Sequence, residues 1–87
     1  MTKTLELSLV REHLLHAVTR YDRKQAKRKD YNIYALAQYM IRLDESISAA
    51  SQPGFTVETA IMVGFNGALR DWLLKALFDW RVANNSQ

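Results

Sequence analysis

The chain has 87 residues, a net charge of +3, 48% hydrophobic residues and no cysteine. That length fits one domain, the apolar content is too high for a disordered chain, and the missing cysteines exclude disulfides and thiolate metal sites. No apolar run approaches the roughly 20 residues of a membrane-spanning helix, and Met1-Thr2-Lys3-Thr4-Leu5-Glu6 lacks the features of a signal peptide, so a soluble, cytoplasmic protein is expected.

Three glycines and one proline are too few turn residues for an all-β fold. The expectation is an all-α chain, 1–87 as a single helical domain, with three to four antiparallel helices in a small bundle that assembles as a homodimer. The first helix is predicted over approximately 5–28. Leu7, Val10, Leu14, Val18 and Tyr21 follow each other by three or four residues, which stacks them on one face. The same face continues into Gln25 and Arg28, so the apolar stripe stops before the helix does. His13 and His16 are expected on the solvent side of this helix.

The second helix is predicted over approximately 32–50, with Asp30 or Asn32 as its cap. Its stripe reads Ile33, Leu36, Met40, Leu43 and Ile47. Pro53 disfavours helical geometry just before it. A third segment, approximately 56–82, opens with Thr56 as a cap, Glu58 in the positive first turn, and Phe55 placed to pack on Ala60. Val57, Ile61 and Phe65 mark one face; Leu69, Trp72, Leu73, Leu77 and Trp80 mark another. At 100° per residue the two faces do not line up. Either the helix breaks at 64–67, with Asn66 capping a fourth helix, or one central helix is covered on most sides. Gly64 and Ala68 suit close helix packing.

Chemical signatures are weak. His13 and His16, with Glu12 beside them, supply too few ligands for a metal site. Asp44 and Glu45 point about 100° apart on a helix and do not make an acid–base pair. Asp71, Lys75 and Asp79 read as solvated i,i+4 pairs. Phosphate-loop glycines and a nucleophile elbow are both missing. The chain is therefore read as a non-enzyme with no cofactor and no metal.

Two surfaces remain. Between Arg20 and Lys29 lie six cations against Asp22 alone, a charge of +5, which leaves −2 for the other 77 residues. Arg20, Arg23, Lys24, Lys27, Arg28 and Lys29, flanked by Tyr31 and Tyr34, form a candidate site for nucleic acid or an acidic partner. Cations track phosphates and aromatic faces stack on unpaired bases. If the helix continues, Arg20, Arg23, Lys24 and Lys27 form a ridge along it. Trp72, Leu74, Phe78 and Trp80 crowd the C-terminal segment beyond what one small core readily covers, and they form a candidate oligomer or partner interface.

The leading functional expectation is a small regulatory or accessory protein acting through protein–protein contact, as a homodimer. The alternative is a nucleic-acid-binding protein with low sequence specificity. An amphipathic membrane-surface role is the weakest option, because the basic stretch lacks a broad apolar face.

Overall fold

The structure is a computed structural model that describes residues 2–85, with side chains for 5–84. Four helices follow in order: α1 (Thr2–Gln25), α2 (Ala35–Ala50), α3 (Val57–Gly64) and α4 (Gly67–Asn85). The all-α bundle is thus observed. The described residues hold no strand. No helix among them is long and apolar enough to cross a membrane.

The stripe read on α1 is the spine of the core. Leu7, Val10, Leu14 and Val18 are buried, joined by Ala17, while Tyr21 lies at the edge. Both α2 and α4 pack on α1, and α3 joins α2 to α4, so the helices close a ring. Arg11 donates from Nε to Asp44 Oδ1 at 2.7 Å. Farther along α1, Tyr21 meets Tyr39 edge-on at 6.4 Å between ring centroids. Contacts that move up α1 and down α2 make the pair antiparallel. The same holds for α4: Trp72 Nε1 donates to the Ala17 carbonyl at 2.8 Å, and His13 Nε2 to the Ala76 carbonyl at 3.1 Å. His13 is therefore half-buried against α4 and not solvent-facing, which corrects the expectation; His16 is exposed, 3.8 Å from Glu12.

On α2 the buried face differs from the predicted stripe. Leu43 is buried, and Leu36 and Ile47 pack against the core, but Met40 is exposed and Ile33 lies outside the helix, 72% exposed. The buried positions include the small residues Ala35, Ser46 and Ala50. At Ser46 a small side chain is needed because α2 and α3 approach closely there. A Cβ on Gly64 would stand 2.6 Å from Ser46 Oγ, inside contact distance. Ser46 itself donates to the Ala60 carbonyl at 3.3 Å, which satisfies its buried hydroxyl. Close packing at Gly64 is therefore observed, whereas Ala68 is exposed.

The segment after Pro53 is two helices. Thr56 caps α3 by accepting from the Thr59 amide at 3.1 Å. Phe65 then takes an extended conformation, and Gly67 has φ +62, a left-handed value that disfavours any side chain. That corner lets Val57 and Ile61 from α3, Phe65 just after it, and Leu69, Leu73 and Leu77 from α4 face one core. Glu58 and Arg81 form an ion pair that closes the two helices at their other ends. α4 continues to Asn85, past the expected limit of 82.

Gly64→Ala tests the close approach. Helix propensity alone favours Ala by up to about 1 kcal/mol, but the overlap with Ser46 costs about 1–3 kcal/mol. The substitution should lower the melting temperature in the native chain. In a Ser46→Ala background, where Oγ is gone, it should raise it. A thermal double-mutant cycle reads the difference.

Candidate functional site

α1 ends at Gln25, not at 28, and α2 begins at Ala35, not at 32. Lys27, Arg28 and Lys29 therefore sit in the 26–34 link, and the expected helical ridge stops at Lys24. The reason is local. Beyond Tyr21 the chain has no apolar residue to bury on α1, and three successive cations repel one another. Arg23 and Lys24 occupy the last turn, where positive charge suits the helix dipole.

The link is a run of tight turns. The Arg28 amide donates to Gln25 at 3.0 Å, Tyr31 to Arg28 at 3.3 Å and Ala35 to Asn32 at 3.0 Å. Asn32 Oδ1 accepts from the Tyr34 amide at 2.9 Å, so Asn32 shapes the turn before α2 and does not cap the helix. Tyr31 anchors the link to α1. Its hydroxyl lies 2.8 Å from both carboxylate oxygens of Asp22, which is buried. The hydrogen bond to Asp22, then burial and the neighbouring negative charge, hold the Tyr31 phenol above its ordinary value near 10.

This contact changes the charge of the surface. Asp22, the one acid of the basic stretch, is turned inward. Asp30 lies 3.4 Å from Arg28, and Asp71, on the facing part of α4, lies 3.3 Å from Arg70. Arg20, Arg23, Lys24, Lys27, Arg28 and Lys29 are all exposed. Lys24 rests over the Trp72 ring at 5.0 Å. Among the described residues Arg20, Arg23, Lys27 and Lys29 make no ion pair. Lys75 shares a shallow groove with Tyr21, Lys24 and Trp72, although it also bridges to Asp79 at 3.0 Å. Tyr34 is 68% exposed, whereas Tyr31 is half-buried on Asp22.

The second surface is split by the fold. Trp72 packs between Tyr21 and the α1 backbone, with a ring centroid 5.5 Å from that of Tyr21. Trp72, Leu74 and Trp80 are partly buried against the core. Phe78 is 66% exposed and Val82 52%. Phe78 and Val82, four residues apart, therefore lie on the outer side of α4, with the half-buried Leu74 one turn before them.

Sequence reasoning missed the partnership of Asp22 with Tyr31, nine residues apart across a helix end, because no periodicity links the two. It also missed the close pair of Ser46 and Gly64. Among the described residues no group of three or more histidine and acidic side chains is placed to hold a metal ion. No family model matches the chain, and neither a curated protein nor a solved structure is significantly similar to it.

Tyr31→Phe should lower the melting temperature at pH 7, because a buried carboxylate loses its donor. The raised phenol contributes stability in full below pH 10 and loses it as the pH climbs through the folded value. The gap in melting temperature between native and Tyr31→Phe chains should thus close above pH 10. A gap that widens there would contradict the assignment.

Proposed function

We propose that this chain is a small, non-enzymatic accessory protein of the cytoplasm that binds nucleic acid, with low sequence specificity, through the basic end of its bundle. One observation carries the reading: the cations at this end face solvent while each nearby acid is held by another residue of the chain. Asp22 is withdrawn from this exterior, and Asp30 and Asp71, though exposed, are each matched by an arginine, which leaves Arg20, Arg23, Lys27 and Lys29 without an ion pair among the described residues. Phosphate binding by such a surface follows the release of counterions, so affinity falls steeply with salt. The cations lie on a helix end and a turn-rich link, which favours backbone contact over readout of base edges.

A second reading, protein–protein contact through a homodimer, is favoured by the outer stripe of α4. Phe78 and Val82 give it a narrow exposed apolar surface, beside the half-buried Leu74. It stands second because Trp72 and Trp80, the largest side chains of the candidate interface, are partly covered by the chain's own core. Phe78→Asp, which changes an exposed residue, should convert any dimer seen by sedimentation at micromolar concentration into a monomer without unfolding it.

Binding is tested by replacing Arg20, Arg23, Lys27 and Lys29 with serine, leaving Lys24 on Trp72. The variant should keep its helical circular dichroism and bind nucleic acid more weakly at low salt. The slope of log affinity against log salt should fall by about 3–4, roughly one for each phosphate contact removed. An unchanged slope would exclude this surface.

A further inference from the structure

We infer that the basic end takes an unpaired nucleic-acid strand in preference to a duplex, and that the ring of Tyr34 is the platform for one of its bases. This rests on the nucleic-acid reading above and names the substrate class of that site.

The case begins with the four tyrosines. Three are engaged by the fold. Tyr21 stands edge-on to Tyr39 and to Trp72, and Tyr31 donates to Asp22. Tyr34 alone leaves its ring in solvent, 68% exposed, with Ile33 beside it at 72%. Its backbone, by contrast, is held at both ends. The amide donates to Asn32 Oδ1 at 2.9 Å, and the carbonyl accepts from the Gln38 amide at 3.2 Å. The ring is therefore uncovered yet mounted on a fixed segment, so ordering it on a ligand costs little backbone entropy.

Position supplies the second half. Tyr34 follows Lys29 by five residues, at most about 18 Å even in an extended chain, and the turns of the link shorten that span. Phosphates on Lys27 and Lys29 and a base on Tyr34 are thus within reach of a few nucleotides. A strand with unpaired bases offers both chemistries, since every base has a face that stacks on an aromatic ring. A duplex keeps those faces inside its own stack. Reading a duplex in its major groove takes a helix or a β-ribbon, and here the cations of 27–29 lie on a compact link between two helix ends.

The test measures affinity at low salt for a 20-nucleotide oligo-dT, a 20-nucleotide oligo-U and a 20-base-pair DNA duplex, with polyglutamate as competitor. The native chain should bind at least one single strand several-fold more tightly than the duplex. Tyr34→Ala should lower single-strand affinity about tenfold, within the range known for base–aromatic stacking. It should leave duplex affinity and the salt slope unchanged, and Tyr34→Phe should retain the binding. Circular dichroism verifies that the variants fold. Duplex binding as tight as single-strand binding, or a Tyr34→Ala variant that keeps the preference, overturns this inference and leaves nucleic-acid binding standing. Displacement of the strand by polyglutamate at equal charge concentration overturns the stacking role. Absence of binding to all three probes overturns both the inference and the reading beneath it.

Discussion

Everything in this bundle leans on one face of α1. Leu14, Ala17 and Val18 have no exposed surface, and two other helices meet there. Burying each large apolar side chain on that face contributes roughly 1.5–3 kcal/mol, so the shared stripe is a large part of what holds the core together. The long dimension of the molecule, 43 Å, is close to the length of α1, about 36 Å at 1.5 Å per residue. Because α2 and α4 are both referred to this helix, its last buried turn also sets where the chain leaves the core. That exit point is where the cations begin.

From there the surface follows from polar bonds rather than apolar ones. Asp22 sits one residue beyond Tyr21, at the edge of the core. A carboxylate at such a depth needs donors, and the Tyr31 hydroxyl supplies one. The bond folds the 26–34 link back onto α1 and withdraws a negative charge from the exterior. Trp72 acts similarly on the other side, where its indole N–H reaches the Ala17 carbonyl and its ring carries Lys24. Aromatic residues that look like binding groups in the sequence thus serve the fold, and Tyr34 is the one left over in the link. On α4 the same selection leaves Phe78 and Val82 outside.

Much of the fold was legible in the amino-acid order. The stripe of α1, the Thr56 cap and the two offset faces of residues 57–82 all appear as predicted, because each is a local pattern with a fixed period or spacing. Two elements differ from the local pattern. α1 ends at Gln25 rather than at 28, where apolar residues run out and successive cations repel one another. On α2, Ile33 and Met40 stay outside the core, and the small residue Ser46 is the one that meets Gly64 of α3 at close approach.

The division is general to this molecule. Sequence alone determined that the chain is helical, which residues of α1 are apolar on one side, and that positive charge gathers between Arg20 and Lys29, since these depend only on residue type and helical period. Tertiary structure decided the choice at 64–67, where Gly67 with φ +62 opens the corner that lets both faces reach one core. It also decided which candidate groups remain available. Asp22, Tyr31, His13 and Trp72 are taken by partners 9 to 63 residues away, and Tyr34 and the outer cations are not. Availability depends on what packs against a side chain, and that is set only when distant segments meet.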